Sequence, residues 1–330
     1  MLDALRRDSG SIAARYGFVP TVVGVASARH GFVHHPAGLD LGALLELVSE
    51  GRSLSELPGV AGWPTSAAGM AATDADVLVE VSSSPADGEP GFTHMREALR
   101  RGMAVVTSNK WPVALHGVEL SRLADEQGTA FRAESTVMSG TPVLAALMDG
   151  LAGAIPLALR GVVSATANFI ASRMALDETY EGALAAARAE GLAERNPTAD
   201  VEGYDEMAKV MILAGLVFGT QLEPGAVARR GVSGVSREDA RRAARDGAVI
   251  RPVVAIEPAE SPGGGITARV EPVALDRDDP LALVDGATNA VVCRAAPVGE
   301  VTIVGPGAGR NLAGQGVLSD LIWAARHAAG

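Results

Sequence analysis

The stretch from Glu194 to Lys209 carries Glu194, Asp200, Asp205 and Lys209, carboxylates and an ammonium gathered close together along the chain. A helix starting near Gly203 sets Asp205 and Lys209 four residues apart, on one face and one turn from each other. Beyond Lys209 the sequence runs VMILAGLVFG, so the ammonium stands at the rim of an apolar helix, where loss of water favours surrender of its proton. Lys209 is thereby a candidate general acid beside a carboxylate. The same spacing also serves an ordinary surface ion pair, which stabilises a helix slightly and does no chemistry. Spacing alone does not choose between the two.

Other polar groups fall where strands end. Ser82, Ser83 and Ser84 follow the run DVLVEV, at the carboxyl edge where an open α/β sheet places its ligand; a polar loop without a ligand is the alternative. Arg29 lies just beyond the strand TVVGVASA, where a dinucleotide's adenosine ribose is read, and its charge suits a 2′-phosphate. His34 and His35 are adjacent without acidic or sulfur companions, which reads as loop rather than metal site. Arg229, Arg230, Arg237, Arg241, Arg242 and Arg245 are interleaved with Glu238, Asp239 and Asp246, the pattern of a solvated helix face.

The elements that must position these groups divide into two sets. Up to about Arg132, short apolar strands at Thr21–Ala26, Asp76–Val81 and Met103–Thr107 alternate with helical patterns at Leu39–Ser49, near Thr93–Arg101 and at about Pro112–Glu126. This alternation predicts a Rossmann-like, doubly wound parallel sheet covered on both faces. From Glu134 to about Gly219 the chain reads as largely helical, broken at Gly140–Pro142 and at Asn196-Pro197. Strand-like runs follow at Val249–Ile256, Ile266–Val273, Ala290–Arg294 and Val301–Val304, then an apolar helix. They predict an α+β unit with a mixed sheet, and Glu260–Gly265 reads as a hairpin loop within it.

Composition bounds the possibilities. With 330 residues, 48% apolar and 20% charged, the chain is expected to fold as two globular domains rather than remain disordered. The net charge of −11 disfavours nucleic acid and anionic membrane surfaces as partners. No apolar run reaches the roughly 18 residues of a spanning helix, and the start lacks the apolar core of a signal peptide. The single cysteine, Cys293, forms no internal disulfide and fits a reducing, cytoplasmic setting.

Five motifs occur in one order: Ser108-Asn109-Lys110 after a strand, Glu134-Ser-Thr-Val-Met-Ser-Gly-Thr-Pro142, Gly161-Val-Val-Ser-Ala-Thr-Ala-Asn168, the Glu194–Lys209 segment, and Gly305-Pro-Gly-Ala-Gly309. From about Val22 to Asp320 the chain resembles homoserine dehydrogenase, in a short form without a C-terminal regulatory domain. The resemblance implies an NAD(P)-dependent interconversion of L-homoserine and L-aspartate 4-semialdehyde, on the route to threonine, methionine and isoleucine. It implies that Lys209 is the proton donor, that Asp205 holds lysine and substrate hydroxyl in register, and that Lys110 fixes cofactor and substrate. Glu194 would bind the substrate ammonium, with Asp200 as a second acidic group and Thr166 touching the substrate. Asn109, Ser82, Ser83, Arg29 and Gly307 would line the cofactor, with NADP slightly favoured over NAD. Glu134 with the carbonyls of Val137, Ser139 and Thr141 resembles the family's monovalent-cation site, usually sodium; a helix cap followed by a turn explains the same residues. Residues 1–132 with 305–330 returning would form the cofactor domain, 133–304 the catalytic and dimerisation domain of a homodimer.

The chain departs from the family pattern in places. The first strand and Gly-rich phosphate loop of a dinucleotide domain are expected before the helix that opens this sequence, and Gly305–Gly309 does not replace them because no second strand follows. Ser164 and Ala165 stand where asparagine and glycine are usual, Asn196 where aspartate is, and Leu192 where an aromatic is common. Three readings stay open: an active homoserine dehydrogenase, a silent relative with a binding or partner-subunit role, and a dehydrogenase of another amino-acid semialdehyde.

Overall fold

A computed structural model describes residues 1–83, 85–194, 196–259 and 265–328. Ser84 and most of the expected 260–265 hairpin loop lie outside these residues. The chain opens with α1 (Leu2–Tyr16), β1 (Gly24–Ser27), β2 (Gly31–His34), α2 (Leu41–Ser49), β3 (Ala61–Gly62) and α3 (Ser66–Ala72). It continues through β4 (Val77–Glu80), α4 (Gly91–Arg100), β5 (Ala104–Thr107), α5 (Lys110–Gln127) and β6 (Phe131–Arg132). Then come α6 (Ser135–Met138), α7 (Val143–Met148), β7 (Ile155–Val162), α8 (Ala165–Ala175), α9 (Tyr180–Ala189), α10 (Thr198–Val201) and α11 (Tyr204–Phe218). Last are β8 (Val227–Arg229), α12 (Arg237–Arg245), β9 (Ala248–Pro258), β10 (Ile266–Asp276), β11 (Thr288–Ala296), β12 (Gly299–Pro306) and α13 (Arg310–Ala328).

Strands β4, β5 and β6 pair in parallel in that order. Alternation along β5 serves two layers. Val105 packs with Phe92, Met95 and Leu99 of α4 and Leu120 of α5, whereas Ala104 and Val106 face Val317 and Ala324 of α13. The C-terminal helix thus returns to the parallel sheet. Its Asp320 bonds the Arg132 guanidinium at 3.2 Å and accepts the Glu134 N–H at 2.8 Å, both inside the fold.

The first strand differs from expectation. It spans Gly24–Ser27 rather than Thr21–Ala26, and it pairs antiparallel with β2, which pairs antiparallel with β3. The chain reverses immediately after Ser27, with Gly31 at φ +98°, so the strand closes a hairpin instead of feeding a crossover helix. Its sheet is backed by Val33, Leu44, Leu47, Leu54 and Leu57.

The second sheet is mixed, in the order β12-β11-β7-β9-β10-β8, with only the β10–β8 pair parallel. Helices α8 and α12 lie against β9, and α11 against β9 and β10. The four late strands appear where the sequence placed them. Strand β7 does not: it lies within the stretch read as largely helical. Pro156, Ala158 and Gly161 dilute its β signal, and pairing to both β11 and β9 supplies what local preference lacks. No helix among the described residues is long and apolar enough to cross a membrane.

Candidate active site

Helix α11 carries the centre of the site. Gly203, at φ +80°, turns the chain into it from α10, a conformation that favours glycine. Its body is among the most buried parts of the molecule, with Val210, Met211, Ile212 and Leu213 fully enclosed. Asp205 falls in the first turn, where the helix dipole favours a carboxylate. Lys209 is one turn on and only 6% exposed. Its Nζ lies 2.8 Å from Asp205 Oδ2 and donates to the Val163 carbonyl at 2.6 Å. The surface-pair reading of this spacing therefore fails, because the pair is enclosed.

A second lysine closes on the same carboxylate. Lys110, the first residue of α5 after β5, bonds Asp205 Oδ1. Burial alone would push the Asp205 carboxyl up, but Lys209 and Lys110 outweigh it and hold it well below the usual carboxylate range. Burial likewise opposes the Lys110 charge, and Asp205 more than restores it, so that ammonium is strengthened. Asp200 lies nearby without such help: burial first, then the Asp205 charge, push its carboxyl up to about 6. Thr166 is within hydrogen-bonding reach of Asp200 and donates its hydroxyl to the Leu192 carbonyl at 2.8 Å. Ser164 accepts from the Ala167 N–H at 3.2 Å and caps α8.

Lys110, Asp205, Lys209, Asp200 and Thr166 are thus brought together. Glu194 is exposed on the segment after α9. At the carboxyl edge of the parallel sheet, Ser82 and Ser83 are exposed after β4, and Asn109 is buried after β5. Asn109 Nδ2 donates to the Ser83 carbonyl at 3.3 Å, while its Oδ1 has no partner among the described residues. Arg29 is exposed in the turn between β1 and β2. It does not follow a strand of the parallel sheet, so the positional reason for favouring NADP falls away. Gly307 is buried; a Cβ there would fall 1.9 Å from Asn289 Nδ2, so glycine is what lets that side chain lie alongside.

Two of the candidate cation ligands, the Glu134 carboxylate and the Thr141 carbonyl, have other partners. Both Glu134 oxygens accept α7 N–H groups, from Leu144 at 2.8 Å and Ala145 at 2.7 Å, and the Thr141 carbonyl accepts from Val143 N–H at 2.9 Å. The Ser139 and Thr141 hydroxyls donate to the Gly307 and Pro306 carbonyls. The cap accounts for the buried Glu134 carboxylate, as the helix-cap reading expects. Among the described residues, no cluster of three or more His, Cys, Asp or Glu side chains could hold a metal ion.

Two participants went unnoticed in the sequence. The Val163 carbonyl fixes Lys209 but has no side-chain signature. Glu206 is 1% exposed, with Oε2 unpartnered among the described residues; burial, then neighbouring Asp205, push its carboxyl up to about 8. A carboxylate interrupting an apolar helical run was the available signal.

Comparison with known proteins places the chain in a family. The homoserine dehydrogenase family model matches residues 142–322. An NAD(+)-dependent homoserine dehydrogenase of Pseudomonas canavaninivorans is 39% identical over 93% of this chain and 87% of that protein. The homoserine dehydrogenase of Mycobacterium tuberculosis is 38% identical over 78% of this chain and 58% of its own length. A putative homoserine dehydrogenase from Archaeoglobus fulgidus superposes with a TM-score of 0.85 at 28% identity, over 98% of this chain and 94% of that one. A hyperthermophilic archaeal homoserine dehydrogenase in complex with NADPH gives 0.81 at 31% identity, over 98% and 93%. The chain belongs to the homoserine dehydrogenase family.

Proposed function

We propose that this protein interconverts L-homoserine and L-aspartate 4-semialdehyde with NAD(P)(H). The observation that carries the proposal is the enclosed Lys209–Asp205–Lys110 cluster. An ammonium has three N–H donors; Val163 and Asp205 take two from Lys209, which leaves one to aim at a substrate oxygen. In the reductive direction Lys209 gives its proton to the carbonyl oxygen of the aldehyde, and in the oxidative direction it takes the hydroxyl proton back. Asp205 fixes the lysine in place. Lys110, the more exposed of the two lysines, stabilises negative charge developing on that oxygen.

The substrate is a zwitterion. Asp200 carries a carboxyl pushed up to about 6 by burial, and an ammonium ligand would restore its charge; Glu194 at the exposed margin is a second partner for it. Thr166 orients the substrate beside Asp200. The unpartnered Asn109 Oδ1, next to Ser83 at the carboxyl edge of the sheet, suits a dinucleotide there, and Ser82, Gly307 and Lys110 are its further candidate contacts. That cofactor supplies the hydride acceptor and donor when bound. We take 1–132 with 305–330 as the cofactor domain and 133–304 as the catalytic domain. Exposed Ile155, Leu157, Val298 and Val304 on and beside β7 and β12 support a homodimer through the mixed sheet. Buried, unpaired Cys293 suits a cytoplasmic setting.

The test is homoserine oxidation, followed by the absorbance of reduced nicotinamide, with NADP and NAD in parallel. The chain turns over, and Lys209→Ala lowers kcat by about 10²–10⁴-fold. A Lys209→Ala variant within a few-fold of the unsubstituted chain removes the proton-transfer role; no turnover with either dinucleotide removes the activity.

A further inference from the structure

Outside the lysine cluster, another line of polar groups crosses three elements. Glu80 ends β4 and is 5% exposed, a buried carboxylate at the carboxyl edge of the parallel sheet. Its Oε2 lies 2.8 Å from His94 Nδ1 of α4, and its Oε1 accepts the Ser82 N–H at 2.9 Å. On the far side of the ring, His94 Nε2 lies 2.7 Å from the Ser66 hydroxyl, at the start of α3. The Glu80 carbonyl accepts from Thr107 Oγ1 at 2.8 Å, and that oxygen accepts the Asn109 N–H at 2.9 Å. One residue therefore holds the carboxyl ends of both β4 and β5, and His94 holds that residue.

We propose that His94 is a positioning residue for the cofactor edge: through Glu80 it fixes the backbone of the Ser82–Ser83 loop. The inference rests on the cofactor placement proposed above. Serine, histidine and glutamate in this order also make a hydrolytic triad. Here the acid is tied to a loop N–H at its other oxygen, and the Ala68 N–H of α3 is bonded to Thr65 Oγ1. The line leads to the loop, not to a nucleophile.

The chemistry of the three groups fits that role. A carboxylate buried without a counter-charge is costly, and His94 supplies one. The Ser66 hydroxyl can donate to a neutral ring or accept from a protonated one, so charging the ring forfeits no hydrogen bond. The charged groups acting on His94 are Glu80 and, more weakly, Glu89, just before α4; Glu80 keeps the ring proton on above the ordinary histidine range. When the ring loses that proton, Nδ1–H still bonds Glu80 but the charge is gone, and the grip on the loop weakens.

The experiment is steady-state homoserine oxidation by the full chain across pH, with His94→Gln and Glu80→Gln, using NADP and NAD as cofactor probes. In the unsubstituted chain the cofactor KM rises as pH passes upward beyond the ordinary histidine range. In His94→Gln it is raised about tenfold, the loss of one charge-assisted bond, and no longer follows pH. kcat and the homoserine KM change less than twofold, and Glu80→Gln also flattens the pH profile. A second measurement needs no substitution: the Ser82 amide resonance shifts with His94 ionisation. A cofactor KM unchanged in His94→Gln, a uniform loss of kcat and both KM values together, or a Ser82 amide indifferent to His94 ionisation overturns the proposal while leaving the enzyme reading intact. Failure of the unsubstituted chain to bind either dinucleotide overturns both.

Discussion

Glu206 makes the folded protein lose stability as pH rises, and Glu206→Gln removes that loss. The carboxyl is enclosed on α11, one oxygen has no partner among the described residues, and ionised Asp205 is its chain neighbour. Burial and that neighbour carry it from an ordinary 4.5 up to about 8. Below about pH 4.5 both folded and unfolded chains hold the proton, and the group contributes nothing to the pH dependence. Between 4.5 and 8 the unfolded chain releases it while the folded chain keeps it, so each pH unit favours unfolding by about 1.4 kcal/mol. Above 8 both are ionised and the loss is complete, on the order of 4 to 5 kcal/mol, with about 3 kcal/mol already gone at pH 7. Glutamine copies the neutral form and does not titrate. Urea unfolding at pH 4, 5, 6, 7 and 8 checks this: the variant stays within about 0.5 kcal/mol of the unsubstituted chain at pH 4, leads by about 1 kcal/mol at pH 5 and gains about 1 to 1.4 kcal/mol more for each unit above. Parallel curves over that range would show that Glu206 ionises normally in the folded state and refute the reasoning.

Asp200 gives a kinetic counterpart. Its carboxyl must be ionised to hold an ammonium, so kcat/KM for homoserine rises with pH through an inflection near about 6; in Asp200→Asn that inflection disappears, and its persistence would assign it to another group. Asp320→Ala strips buried Arg132 of one carboxylate and leaves the buried Glu134 N–H without its acceptor. Asp149 still bonds the guanidinium, so unfolding becomes easier by about 2 to 4 kcal/mol, read from the urea midpoint; a change under about 1 kcal/mol contradicts the assignment of this network as the tie between β6 and α13.

What the sequence made legible was local. The period of α11 put Asp205 and Lys209 on one face, and short apolar runs located β4, β5 and β9 to β12 within a few residues. Pairing was not local. Nothing in TVVGVASA distinguishes a strand that feeds a crossover from one that reverses within a few residues, and the structure has the reversal. Strand β7, with its proline, alanine and glycine, becomes a strand because β11 and β9 flank it.

The same division runs through the site, and most sharply between two adjacent residues. Asp205 and Glu206 are near-identical carboxylates, side by side at the start of one buried helix. Their side chains leave that helix in different directions. Asp205 meets Lys209 from its own next turn and Lys110 from the end of β5, and the two lysines keep it ionised despite burial. Among the described residues Glu206 has no such bond to a lysine, and it holds its proton into the neutral range. The i,i+4 partner could be read from spacing, whereas Lys110 arrives from 95 residues away through the pairing of a parallel sheet. A carboxylate's role in this fold is therefore set less by its own identity than by whether a distant strand end delivers a cation to it.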